Sequence, residues 1–497
     1  MALSVKNLLG NSAIYAIGVV MRNVSSLVML PIYTRYLTPS DYGTIELLGM
    51  VIDFVSIFIG LQISSAVFRY YGLAATETEK KRVISSAMLF MVSTYAVGIA
   101  IVWLLSPAIS VRVFGAPGFE HLINLFSLTL LLSALSEVPM TYVRALERPW
   151  LFVGLSALQL ALQVAFNVWF VVVQELGVIG VVYSALLARL LFALVVSIFA
   201  LSRTGIRISR SMLKSLATFS IPIMLGSLAT FYMTSIDKYL LRQLSGLASV
   251  GVYTLGYKFA FMLTGLVNMP FLSTWEPMRY RLMSTPDAQQ QFTRVLRLYT
   301  VALSTVALCL AMFSEDVLKI MSKPDFWVAA DVAPWIILAH VFHCWTDYTN
   351  LGVMVSSKTY HFTVSSVIGG ITTTILCWLL IPHFGFVGAG MAAAAAFFLR
   401  FLWVYHASQR YYPIPFNWTA IGSGPALATV FYVLSCFAPE TALLSLLSKS
   451  AILLVFLAVL WRMPILSQED RKMIINALSA AFGPKKLVGP EAAAKRD

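Results

Sequence analysis

Charge is what this chain has least of. Only 11% of its 497 residues are Asp, Glu, Lys or Arg, where soluble domains carry about 25%. That shortage excludes an ordinary water-soluble domain. The 59% hydrophobic content and a mean hydropathy of +0.82 place the chain in a bilayer instead. Cysteine is scarce as well. Cys309, Cys344, Cys377 and Cys436 fall singly inside apolar runs, which argues against disulfides and metal clusters. There is no G-x-x-x-x-G-K-S/T loop, hence no built-in ATPase, and no Ser-His-Asp or metal-hydrolase pattern stands out. Long polar loops are missing too. The connections reach only about ten to twenty residues, too few for a folded domain outside the membrane.

What the chain has is repeated apolar runs of helical length. Barrel strands would be shorter and alternating, so the fold class is an all-α polytopic membrane protein. Fourteen spans are predicted: 11–34, 43–67, 84–106, 122–146, 150–173, 177–201, 216–241, 248–275, 293–314, 333–356, 359–381, 385–409, 417–437 and 441–462. The first apolar run continues through Arg22 to Leu37 without a small-residue cleavage site, so it reads as a span and not a signal peptide. With both termini in the cytoplasm, twenty-four of the 35 Lys and Arg fall in cytoplasmic segments and five on the opposite side. The net charge of +13 follows from that placement and does not imply nucleic acid. After Pro464, Ser467-Gln468-Glu469-Asp470 resembles a capping box. Met473, Ile474, Leu478 and Phe482 then share one face before Gly483-Pro484. This reads as a short amphipathic helix on the cytoplasmic membrane surface.

The chain is organised around the hairpin of spans 1 and 2. Its turn runs Leu30-Pro31-Ile32-Tyr33-Thr34-Arg35-Tyr36-Leu37-Thr38-Pro39-Ser40-Asp41-Tyr42-Gly43. Thr38 caps the second helix, Pro39 suits its first position and Asp41 its third. Arg22 and Asp53 lie near mid-depth on either side, where an ionisable group marks a functional interior or an ion pair that locks the hairpin. Glu46, Gly49, Asp53, Ser56, Gly60 and Ser64 share one stripe of span 2.

Other ionisable groups lie deep in spans. Arg189, Lys258 and Arg400 join Arg22 as candidate binders of an anion, because the Arg fork donates paired hydrogen bonds to phosphate. The structural alternative pairs them across the bundle with Asp53, Glu137 or Asp347. His340, His343 and Asp347 share one face of span 10, with Asn350 beyond. They read as a proton relay or as a polar seam between helices. Their spacing is no zinc signature. Glu137 beside Pro139 is a second candidate for cation coupling, and Lys238 beside Asp237 reads as structural.

Two segments about 210 residues apart resemble each other. Arg148-Pro149-Trp150 through Gly177-Val178-Ile179-Gly180 to Arg189 matches Lys358-Thr359-Tyr360 through Gly385-Phe386-Val387-Gly388 to Arg400. Six helices per repeat is an even number, so the halves share one orientation. The expected organisation is an N-lobe at 1–202 (spans 1–6), a C-lobe at 203–412 (spans 7–12), spans 13–14 at 413–463 and a cytoplasmic amphipathic tail at 464–497.

With the turn at 30–43, Ser235-Ile236-Asp237-Lys238-Tyr239-Leu240-Leu241 before Val250-Gly251-Val252-Tyr253, and Trp275-Glu276-Pro277, the chain resembles the Wzx-type polysaccharide and O-antigen flippases of the multidrug/oligosaccharidyl-lipid/polysaccharide (MOP) exporter superfamily. The resemblance covers about residues 5–460. It implies alternating access between two lobes and no catalysis. The implied cargo is a polyprenyl-diphosphate-linked oligosaccharide carried across a bacterial inner membrane for surface polysaccharide synthesis. A proton or sodium gradient drives the transport in place of a cofactor. The implied partners are membrane lipids, a polysaccharide polymerase and a chain-length regulator. Basic residues would hold the diphosphate or acidic sugars, and carboxylates the coupling ion. In the related lipid II flippases two extra terminal helices help form a groove for the lipid tail, a role open to spans 13 and 14. Three rivals remain: a multidrug or small-cation exporter of the same superfamily, a membrane-embedded glycosyl- or acyltransferase, and a scaffold for a polysaccharide-synthesis complex.

Overall fold

The computed structural model describes residues 28–61, 63–439, 441–463, 467–472 and 475. Every regular element among them is helical, because a backbone in hydrocarbon has to satisfy its own hydrogen bonds. Among the described residues ten helices are long and apolar enough to cross a membrane, or eleven if the bent pair Pro324–Ala330 and Ala333–Thr349 makes one crossing. The all-α polytopic class stands. Most of the expected first span, including Arg22, lies outside the described residues.

Helix α1 (Leu30–Tyr36) begins within the last residues of that expected span. The turn after it forms as its residues dictate. The Thr38 side chain accepts from the Asp41 N–H at 3.2 Å, the Asp41 carboxylate accepts from the Thr38 N–H at 3.0 Å, and Pro39 opens α2 (Pro39–Gly60). Left-handed Leu61 interrupts the path, which α3 (Ile63–Leu73) continues. A second capping box, Thr76 with Glu79, starts α4 (Glu77–Ile109), which ends in the π-helical turn Ser110–Phe114. Then come α5 (Glu120–Ala145), α6 (Pro149–Asn167, prolonged by a π-helical turn) and α7 (Gly177–Thr204). Helix α8 (Arg210–Ser245) leads to α9 (Leu247–Leu263), a π-helical turn at Thr264–Asn268, and α10 (Met269–Leu282). The chain continues with α11 (Ala288–Met321), α12 (Ala333–Thr349), α13 (Leu351–Val355), α14 (Tyr360–Tyr411), α15 (Trp418–Ser435) and α16 (Ala442–Arg462).

Helix α14 has 52 residues, about 78 Å at the usual rise and far more than the ~30 Å of a hydrocarbon layer. It breaks at Gly385, whose φ of 56° and ψ of −136° suit a residue without a Cβ. Its two limbs are the expected spans 11 and 12. Helix α15 falls at expected span 13 but is not among the ten apolar crossings.

The chain divides into two units, Met1–Arg281 with Phe313–Pro413, and Leu282–Met312 with Ile414–Asp497. In the first, α8 and α12 pack along α14, α5 lies between α4 and α7, and α2 runs along α9. One buried cluster joins Ile63, Val67, Ile84, Met91 and Leu130. Another sets Ala393, Ala394 and Ala396 against Ala339 and Met233, small residues that let helices approach where apolar area alone gives no drive. In the second unit, Phe431 and Phe456 meet edge to face at 5.6 Å. The expected capping box is present there, with Ser467 and Asp470 bonded reciprocally. The apolar face expected beyond it, Met473, Ile474, Leu478 and Phe482, lies outside the described residues.

The internal repeat is written into the backbone of the first unit. Glu147 and Ser357 both take left-handed φ, 54° and 57°, just before the basic residue that leads into α6 or α14. Gly177 and Gly385 match in the same way, at 58° and 56°. Helices α2 and α9 are repeat partners too, and they touch through equivalent glycines. A Cβ on Gly43 would overlap the Leu247 carbonyl oxygen, and one on Gly251 would overlap that of Pro39. Pro39 and Leu247 open the two helices, so the contact is reciprocal.

Candidate functional site

Two opposite charges of the first unit lie on this α2–α9 seam, Glu46 and Lys258. Glu46 follows Gly43 by one turn, and Lys258 follows Gly251 by two, so each shares a face with its glycine. The Lys258 ammonium meets the Glu46 carboxylate at 3.1 Å, with the two side chains 15% and 20% exposed. A cavity of about 420 Å³ opens next to the pair. Its polar lining includes Tyr33, Glu46, Gln159, Gln163, Arg189 and Lys258. The Tyr33 hydroxyl donates to Asn167 Oδ1 at 2.9 Å, and Asn167 Nδ2 donates to the Gln163 carbonyl at 2.8 Å, which ties α1 to α6. Arg189 reaches Ser133 Oγ at 3.4 Å. Arg189 and Lys258 each lie about 17–18 Å along their helices, close to mid-depth of a bilayer, where ionisable groups are costly and functional.

Two of the four expected anion binders, Arg189 and Lys258, therefore line one cavity together with the Glu46 carboxylate. Arg22 lies outside the described residues. Arg400 does not line this cavity. It belongs to a second polar cluster with His343 and Asp347, whose charges it feels. There Asn268 Nδ2 donates to Asp347 at 2.9 Å, His343 Nε2 lies 3.9 Å from Asp347, and His340 Nδ1 shares a hydrogen bond with Thr264 at 2.9 Å. Asn350, the next polar residue of that face, accepts from Arg279 at 2.9 Å.

Asp53 is exposed on the Glu46 stripe and feels Lys238 and Arg189. Among the described residues it makes no hydrogen bond or ion pair. Lys238 sits 5.5 Å above the Tyr257 ring, and its neighbour Asp237 is buried, accepting from Tyr253 at 2.5 Å. Glu137 accepts from Ser64 at 2.6 Å. Glu137 and Asp347 stand at matching places in the two repeats, the same distance before Glu147 and Ser357. Each is bonded from the broken path of a long span, Ser64 just past the α2–α3 interruption and Asn268 in the π-helical turn after α9. Interrupted spans at matching positions are the usual mark of a transporter site.

Sequence reasoning placed Glu46 on a polar stripe without finding its partner. It passed over Gln159 and Gln163, whose four-residue spacing in an apolar span was the available signal. Among the described residues no group of three or more His, Cys, Asp or Glu could hold a metal ion.

The model of the family "Polysaccharide biosynthesis protein" matches residues 32–326. The chain belongs to that family. That stretch of the family match contains the whole charged cavity except Met29. Among solved structures, the lipid II flippase MurJ in an inward closed conformation is similar at a TM-score of 0.73 and 12% identity, covering 90% of this chain and 98% of that one. A mutant of the Vibrio cholerae MATE transporter VcmN is similar at 0.58 and 17%, covering 82% and 96%. A MOP superfamily transporter from Pyrococcus furiosus, noted for the reverse polarity of its binding pocket, is similar at 0.56 and 15%, covering 82% and 95%. At these identities the likeness is one of fold. No curated protein sequence matches the chain.

Proposed function

We propose that this polysaccharide biosynthesis protein is a flippase. It carries polyprenyl-diphosphate-linked oligosaccharides across the bacterial cytoplasmic membrane by ion-coupled alternating access, with both termini in the cytoplasm. The observation that carries the reading is the cavity in which Arg189 and Lys258 face the same space at mid-depth. A diphosphate crossing hydrocarbon needs fixed cations to replace its water. Arg189 supplies a planar fork for it and Lys258 a point charge. Gln159 and Gln163 offer amides to the sugar next to the phosphate. Asp347, with His343, His340 and Arg400 around it, is the favoured site for the coupling ion, and Glu137 is its counterpart in the other repeat. Asp53 and Arg22 are the remaining candidates, for ion and cargo respectively. Transport without chemistry would make the protein a carrier and not an enzyme, and would bring it beside the polymerase and chain-length regulator of the same polymer.

Glu46 inside the cavity favours a second reading, export of an organic cation. Leaflet assignment separates the two. In a strain lacking the gene, completed polyprenyl-linked units accumulate facing the cytoplasm and surface polymer is lost. Units that reach the outer leaflet normally would overturn the flippase. Returning the gene as Arg189→Ala lowers export at least tenfold with normal membrane insertion, and Arg189→Lys restores part of it if charge matters more than the fork. Full export by Arg189→Ala would remove the cavity from the mechanism.

A further inference from the structure

We propose that Glu46 is a built-in competitor for the cargo's diphosphate: it occupies Lys258 in the unloaded protein, and its displacement parts the α2–α9 seam. The proposal rests on the reading that the cargo head group is anionic.

Three observations carry it. The Glu46–Lys258 pair is largely buried and spans two helices far apart in the chain. It lies on the same seam as the Gly43–Gly251 contact, where the two backbones touch without intervening side chains. Both its members line the cavity that also contains Arg189, Gln159 and Gln163.

A buried ion pair is a poor source of stability, because desolvating two charges offsets most of their attraction. Its removal by a better partner is correspondingly easy. A diphosphate is such a partner. It brings more negative charge than a carboxylate and accepts two parallel hydrogen bonds from the Arg189 fork while Lys258 holds the other phosphate. Once the anion is seated, Glu46 faces it across the cavity, carboxylate against phosphate. Like charges at close range in a poorly screened site repel strongly. Movement of α2 away from α9 relieves that repulsion. The glycine contact gives way without unlocking any side chains, since none are interlocked there. Cargo binding and opening of the seam are then one event.

The test uses the full chain in lipid nanodiscs with its four cysteines replaced. Spin labels go on Ser40→Cys and Ala248→Cys, exposed repeat-equivalent positions beside the contact, and the probe is inorganic pyrophosphate. Pyrophosphate should bind and lengthen the label distance. Glu46→Gln should bind it roughly tenfold tighter, a competitor having been removed, and should lengthen little on binding, since no carboxylate is left to repel the anion. Lys258→Gln should lose most of the binding. If Glu46→Gln binds no tighter, or pyrophosphate binds with the distance unchanged, the competitor is overturned while the anionic site stands. If neither protein binds pyrophosphate, the proposal falls together with the anionic cargo. Should Glu46→Gln fail to insert, Glu46→Asp keeps the charge with a shorter reach and should shift both readouts the same way.

Discussion

Asp470 illustrates how much a single side chain holds in this molecule. With no solvent exposure it accepts from Arg294 Nε at 2.6 Å and from Arg297 Nη2 at 2.8 Å, while bonding reciprocally with Ser467. Burial works against its charge, but the hydrogen bonds from Ser467 and Arg294 outweigh it and hold the carboxyl below its ordinary range. A carboxylate whose folded value is depressed contributes stability that is complete above the unfolded value, about 3.9, and lost as pH falls through the folded one. The start of the tail should stay clasped at pH 5 and release in stronger acid. Asp470→Asn should release it at neutral pH, at a cost of about 1–3 kcal/mol for the lost charge-assisted bonds. Hydrogen exchange over 467–472 reads both, and exchange unchanged by the substitution would show that other contacts hold the segment. The capping pattern that starts this clasp was legible in the sequence. The arginines were not, because nothing local says that residues 173 and 176 positions away will face Asp470. The same limit hid the Glu46–Lys258 pair. Residue type put Arg400 with Lys258, yet packing put it with Asp347.

The elements themselves were easier to read, because their causes are local. Thr38, Pro39 and Asp41 place the start of α2 whatever surrounds it. Apolar length marked the spans that follow. Interruptions were harder. The break at Leu61 and the π-helical turn at Thr264–Asn268 lie beside side-chain bonds to another helix, Ser64 to Glu137 and Asn268 to Asp347, and apolar pattern alone carries no trace of them. Gly385 is intermediate. The expected spans 359–381 and 385–409 meet there, and its non-helical backbone separates the two limbs. Gly385→Ala should cost about 1–3 kcal/mol, since a Cβ strains that backbone region. Thermal unfolding in detergent measures it. A melting temperature equal to that of the unaltered protein would mean that the two limbs can rejoin as one straight helix.

For the whole molecule, the sequence interval of about 210 residues was a sign of duplication, and the backbone bears it out in paired left-handed residues and paired carboxylates. The duplication also has a consequence at the Gly43–Gly251 contact. Two equivalent surfaces meet face to face there, which is the geometry of an isologous dimer interface held inside a single chain. In such an interface an obstacle on one side already sets the separation of both. Gly43→Ala alone should push α2 and α9 apart, and Gly251→Ala alone should do the same. The double substitution should then cost clearly less than the two together, a coupling that a double-mutant cycle on unfolding reads directly. Strict additivity would mean that the two glycines answer to separate neighbours. Within this chain, then, a change in one repeat is felt as a change in both, and neither copy is free to diverge at that point without the other.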